Sequence, residues 1–412
     1  MSFNPFAQRY VQLVLSVGQH DRSYVDAYYG PPEWQAQVAT LALPDLLEQG
    51  ERLAAEFAQA TAPADQALRA TFLGKHIDAV CSHIRHLMGQ RQSFDAESQA
   101  LYDAVSPRLQ EAELAAIVSE LDSLLPGTGS VQARMVALNR RFEIPVDRLD
   151  AVFSAAIAES RQRSKRYINL PEHERFTVEY VQNQVWSAYN WYKGNSYSLI
   201  QVNTDLPMPI SRAIDLASHE GYPGHHVFHL LTEQHLVREK GWLEYSVFPL
   251  YSPMAFLSEG SANYGISVVF PHEERLAFEQ STLFPLAGLD PRTAQHYYQV
   301  QGIVQKLSYA GNMVAQRYLD GEIDRAGAIA LLMQYSLYDE KRATQRLAFI
   351  EHNRSYVINY NLGQDVVQRY VEAQAGAGTG LSNSNNKADA LWQAFKDLLL
   401  APRTASMMAE AG

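Results

Sequence analysis

The sequence predicts a mainly α-helical protein with one small β-sheet placed just ahead of a histidine-rich helix. Three observations carry this reading. Apolar residues recur at helical spacing over most of the chain, period-two alternation is confined to a stretch after residue 170, and clusters such as Gly30-Pro31-Pro32 and Pro126-Gly127-Thr128-Gly129-Ser130 punctuate the helices. With 412 residues, 47% hydrophobic and 19% charged, the chain has globular composition and the length for one large helical domain or two lobes.

Taken in order, residues 5–18 carry apolar side chains at helical spacing, and further helices are expected over 44–60, 67–90, 95–123, 131–142 and 147–166. No basic segment leads into a long apolar core at the start, and no stretch approaches the ~20 apolar residues that span a bilayer. The expectation is a soluble cytoplasmic protein with no membrane partner. A formal net charge of −11 argues against a nucleic-acid surface, which needs clustered Lys and Arg. The single cysteine, Cys81, excludes an internal disulfide framework and a Cys-rich zinc ribbon; beside Ala79, Val80 and Ile84 it reads as a buried helix position. His76, His83 and His86 share a helix face but lack an adjacent carboxylate, so this half reads as scaffold and cleft wall.

From residue 170 the texture changes. Residues 172–181 and 195–203 alternate in strand fashion around a densely aromatic stretch, 186–192. An edge strand at 195–203 is placed to hold an extended peptide by backbone hydrogen bonds, with Asn203 as a candidate substrate contact. Ser211 is a possible N-cap of the helix that follows, which puts His219 about two turns inside it.

The chemistry concentrates in His219-Glu220-Gly221-Tyr222-Pro223-Gly224-His225-His226. A zinc hydrolase needs neutral nitrogen ligands, an open position for water and a carboxylate to take that water's proton. His219 and Glu220 supply a ligand and the base. In the familiar H-E-x-x-H helix the second histidine falls at i+4, about 40° around the helix; here i+4 is Pro223. A kink or bulge at Pro223-Gly224 that absorbs two residues brings His225 to the face of His219, whereas His226 requires absorbing three. His225 is therefore the preferred second ligand and His226 the alternative. A third ligand is supplied by Glu259, which lies among apolar and small residues where an unpaired carboxylate is costly to bury.

Together, these two segments and Tyr360-Asn361-Leu362-Gly363 resemble the bacterial family catalogued as domain of unknown function 885. The resemblance runs from Asp26-Ala27-Tyr28-Tyr29-Gly30-Pro31, through Ser93-Phe94-Asp95-Ala96-Glu97, to about residue 370. It implies a large helical zincin-like (gluzincin-type) fold with a deep cleft, distantly similar to carboxypeptidase Taq and angiotensin-converting enzyme. It also implies one Zn2+ held by His219, the histidine after Pro223-Gly224, and Glu259, with Glu220 as base. Dipeptidyl peptidase III offers a precedent in H-E-x-x-G-H, where glycine directly precedes the second ligand, as Gly224 precedes His225. By family position Tyr360 is the donor to the developing oxyanion.

Further helices are expected over 293–319 and 324–338, and Tyr297, Tyr298, Gln301, Lys306 and Tyr309 read as a core stripe rather than as cleft residues. Tyr356 lies at i−4 from Tyr360 on one helical face, and Arg354 offers a planar guanidinium to a substrate carboxylate. Residues 373–388 read as a flexible loop and 388–400 as a last amphipathic helix. The organisation expected is a helical region, 1–168, a zincin-like region bearing the site, 169–372, and a C-terminal loop and helix, 373–412. The expected activity is zinc-dependent hydrolysis of small peptides. A non-peptide amide or ester as substrate, and a non-catalytic binding protein on the same fold, are the alternatives.

Overall fold

The helix Pro253–Val269 is the axis of the structure, a computed structural model that describes residues 3–38, 40–184, 186–205, 207–377 and 384–411. Ser252 caps it by accepting from the Ala255 amide, and Pro253 takes the first turn, where a missing N–H costs nothing. Side chains are buried on all its faces, Met254, Phe256, Leu257, Ala262 and Val268 among them. A helix apolar all round belongs inside a protein.

Against this axis the helix Ile358–Ala377 packs at very close range. A Cβ on Gly260 would stand 2.5 Å from the backbone of Gly363, and one on Gly363 would stand 3.0 Å from the Phe256 carbonyl oxygen. Two glycines therefore let the backbones touch. Around this pair lie Asn4–Val17, Leu43–Ala58, Ala67–Leu87 and Leu149–Ser164, which match the expected helices within a few residues. The mainly α architecture is as expected.

Some boundaries differ for local reasons. The stretch 95–123 divides into Phe94–Tyr102 and Glu111–Leu124, because Asp103 turns left-handed at φ 57° and its carboxylate accepts from Lys75 at 2.8 Å and Thr404 at 2.7 Å. The stretch 293–319 divides into Ala294–Gln305 and Ala310–Leu319. Helix Glu340–Asn353, capped by Asp339, was not anticipated. Of the expected loop at 373–388, residues 373–377 continue a helix and 384–388 begin the helix Ser384–Leu399; residues 378–383 lie outside the described residues.

Among the described residues, five short strands complete the fold: β1 Val25–Tyr28, β2 Arg175–Val181, β3 Ala188–Tyr192, β4 Tyr197–Asn203 and β5 Val247–Pro249. β1 pairs antiparallel with β5, and the second sheet has the order β2-β4-β3. β4 runs parallel to β2, with Arg175 opposite Tyr197, and antiparallel to β3, with Ala188 opposite Val202. This corrects the expectation for 195–203, since β4 is the central strand and its backbone groups are used on both sides. The edge that reaches the cleft belongs to β3. Ser211 is likewise the first residue of its helix rather than its cap, and its hydroxyl meets the Tyr297 hydroxyl at 2.9 Å.

Candidate metal centre

The insertion at Pro223 is absorbed by rebuilding the backbone. Helix Ser211–Leu216 widens into a π-helical turn over Ala217–Gly221, Tyr222 is extended, and a new helix begins at His225. The chain folds back so tightly that the Gly224 amide donates to the Ser218 carbonyl at 2.9 Å. A Cβ at Gly224 would lie 1.9 Å from the His219 carbonyl oxygen, so only glycine fits.

This path brings His219 Nε2 and His225 Nε2 to 3.0 Å from each other. Glu259, from the axial helix, places Oε2 at 3.2 Å from the first and 3.6 Å from the second. Tetrahedral ligands bonded at 2.0–2.1 Å stand about 3.3 Å apart, so the triangle has the dimensions of one face of a zinc site.

The surrounding contacts test whether a cation belongs there. Asn263 donates from Nδ2 to the Tyr360 carbonyl at 2.8 Å, which turns its Oδ1 toward His219 Nδ1 at 2.9 Å. His219 must then donate from Nδ1, leaving the Nε2 lone pair aimed into the triangle. His225 Nδ1 meets Ser258 Oγ at 3.0 Å, and Tyr356 donates to Glu259 Oε1 at 2.7 Å. Glu259 Oε2 is buried and makes no hydrogen bond among the described residues. An orphaned carboxylate oxygen facing two imidazole nitrogens is a donor set that a divalent cation satisfies.

Without a cation, protons substitute. Burial opposes a charge on either partner, yet Glu259 holds the His225 imidazolium up to about 9, and His225 with His219 holds the Glu259 carboxyl well below its usual range. Burial raises the Glu220 carboxyl above its ordinary value, outweighing the neighbouring imidazoles of His219 and His225. Burial, and then the Glu259 charge, also push the Tyr360 phenol well up, so it stays protonated. Its ring stacks 6.4 Å from that of His219, and its hydroxyl has no partner among the described residues.

Glu220, Tyr360 and the three clustered residues all line one cleft of about 1030 Å³. His226 stands apart: its ring nitrogens meet Ser198 Oγ at 2.8 Å and Glu174 at 2.9 Å, in a buried network with Tyr222 and Arg161. That network leaves His225 as the clustered histidine. His229 is also outside the cluster, stacked on Tyr192 at 5.1 Å. Tyr356 positions Glu259. Arg354 does not reach the cleft, because its guanidinium is held by Glu97 at 2.7 Å. Asn203 borders the cleft but spends its amide on the Gln184 and Trp186 carbonyls, fixing a loop. The residues not singled out by sequence are Asn263, Ser258 and Asp26. Asn263 falls at i+4 from Glu259, a spacing that marks the same helical face. Asp26 lines the cleft, accepts from the Tyr189 hydroxyl, and is raised by burial to about 6.

No protein-family model matches the sequence, and no curated protein matches it significantly, so the family resemblance rests on the motifs alone. Among solved structures, a Colwellia psychrerythraea protein provisionally called a lipoprotein is similar over 92% of this chain, with a TM-score of 0.56 and 17% identity. This chain spans 64% of that protein's length, and the likeness speaks for the fold alone. A Shewanella oneidensis protein, also provisionally a lipoprotein and of unknown function, aligns at TM-score 0.46 and 13% identity, over 89% of this chain and 75% of its own. An M32 carboxypeptidase from Deinococcus radiodurans R1 aligns at 0.45 and 13%, over 99% and 93%. Both scores lie below the level that supports a shared fold. No helix among the described residues is long and apolar enough to cross a membrane.

Proposed function

We propose that the protein is a zinc-dependent hydrolase, and specifically a metallopeptidase acting on small peptides. The observation that carries this reading is the convergence of His219, His225 and Glu259 beside Glu220 at the wall of a large cleft. His219, His225 and Glu259 would hold the ion, which when bound supplies Lewis-acid activation of water and of the scissile carbonyl. Glu220 takes the proton of the attacking water and returns it to the leaving amine; burial raises its carboxyl above the ordinary value, which makes it a stronger base. Tyr360 donates a hydrogen bond to the oxygen that becomes negative. The outer edge of β3, unpaired in its sheet and bordering the cleft, favours an extended peptide over another amide or ester. A buried, unneutralised base is a poor fit to a purely binding role.

Metal content per chain tests the centre. Wild type is expected to retain about one zinc after removal of loose ions, Glu259→Ala to lose it, and His226→Ala to keep it while unfolding at lower temperature. Folded wild type without retained zinc would overturn the proposal. Zinc affinity should also depend on pH. The His225 proton, held up to about 9, must leave before a metal binds. The logarithm of affinity should therefore rise by about one per pH unit from roughly pH 6 to roughly pH 8, measured by chelator competition. A flat profile would remove His225 from the ligand set.

A further inference from the structure

We propose that Arg342 and Arg346, with Arg212 lining the same cleft, form a carboxylate-binding subsite there, which selects substrates by a C-terminal carboxylate or an acidic side chain. The role as a substrate subsite rests on the hydrolase reading; the binding itself does not. Helix Glu340–Asn353 has two faces. Ala343, Leu347 and Ile350 are fully buried, while Arg342, Gln345, Arg346 and Phe349, spaced three and four apart, line the cleft.

The two guanidinium groups are held but not neutralised. Arg342 lies 4.7 Å over the Tyr338 ring and Arg346 4.9 Å over the Phe349 ring. The rings hold the two groups at the cleft wall, and Arg342 also hydrogen-bonds the Tyr338 hydroxyl. Neither has a carboxylate within 4.0 Å among the described residues, whereas Arg354, Arg275 and Arg163 each do. Arg212 stands 3.6 Å from Asp215, which is shared with Arg275 at 2.8 Å. Tyr338 registers the excess charge: burial alone would push its phenol up, yet Arg342, Arg346 and Arg212 bring it below its ordinary value.

The same cleft carries Glu220, Glu259 and Asp26. Arg212 acts on the Glu220 carboxyl and Arg346 on the Tyr360 phenol, so the cationic wall lies within electrostatic reach of the proposed chemistry. A substrate carboxylate is drawn to the arginines, and the rest of the substrate lies along the cleft toward Glu220 and Glu259. This arrangement sets which way round a peptide lies.

The test uses the full chain carrying Glu220→Gln and loaded with zinc, so that bound peptide is not consumed. Three tripeptide pools are retained by equilibrium dialysis and read by mass spectrometry: free acids lacking Asp and Glu, the same peptides as C-terminal amides, and amides containing Glu. One carboxylate-bearing pool is expected to be enriched about tenfold or more over the neutral amides, and the winning pool identifies the source of the carboxylate. Adding Arg342→Gln and Arg346→Gln should reduce the enrichment to about twofold or less. Equal retention of all pools overturns the subsite, as does enrichment that survives both substitutions. Should the combined variant fail to fold, Arg346→Lys, which keeps charge but loses the planar fork, is read against the same criterion. Turnover of the same pools by wild type separates the two ideas. Enrichment without cleavage sinks the hydrolase and leaves the subsite, and cleavage without enrichment does the reverse.

Discussion

Glu220→Gln is expected to keep one zinc per chain and to lower kcat by roughly two to four orders of magnitude, the range that a positioned proton acceptor contributes. The substitution preserves shape and removes basicity, so KM should change far less than kcat. Stability gives a second readout with a definite sign. Glu220 has a carboxyl pKa raised by folding, so between its unfolded and folded values the native state binds more protons and stability falls as pH rises. The glutamine variant lacks this loss. Metal-free Glu220→Gln should therefore be at least as stable as wild type above that window, as expected where activity is kept at the expense of stability. Unchanged kcat in a zinc-loaded variant would remove Glu220 from the reaction.

Gly224→Ala should abolish retained zinc and lower stability by about 3 kcal/mol or more, because overpacking against immovable atoms lies at the severe end of its class. The new methyl would meet the His219 carbonyl oxygen at 1.9 Å and the Ser218 carbonyl oxygen at 2.5 Å, and neither is the end of a flexible side chain. Relief requires opening the turn, which separates His225 from His219. Gly302→Ala is the control, since a Cβ there meets nothing within 4 Å. That variant should unfold at wild-type temperature or slightly above. Normal zinc content in Gly224→Ala would show that the turn is not what sets the histidine spacing.

His219, Glu220 and Glu259 could be read in the sequence because their chemistry is local: adjacent residues on one helix, and a carboxylate among apolar neighbours. The preference for His225 rested on the arithmetic of a two-residue insertion and on the precedent of a glycine directly before the second ligand, although the backbone solves it with a π turn and a restarted helix instead of a bulge. Arg354 misled for the opposite reason: its partner Glu97 arrives from a segment whose pairing no local pattern announces. The same holds for His226, whose partner Glu174 lies 52 residues away. Central and edge strands also look alike in sequence, so β4 could not be distinguished from β3. The stripe on Glu340–Asn353 was present as a three-and-four spacing and was legible in principle.

The Gly260–Gly363 contact gives the centre a fixed frame of reference. Glu259 precedes one glycine directly and Asn263 follows it by three residues, while Tyr356 and Tyr360 precede the other by seven and three. The carboxylate, the amide that orients His219, and the Tyr360 phenol are thus bolted to two rods welded at one point, with Tyr356 on the short turn just ahead of the second. His219 and His225 belong to a different piece of chain. They are tied to that frame by Asn263, 2.9 Å from His219, and by Ser258, 3.0 Å from His225. Loosening the Gly260–Gly363 contact should therefore disturb all three ligands together, with metal affinity as the property that reports it.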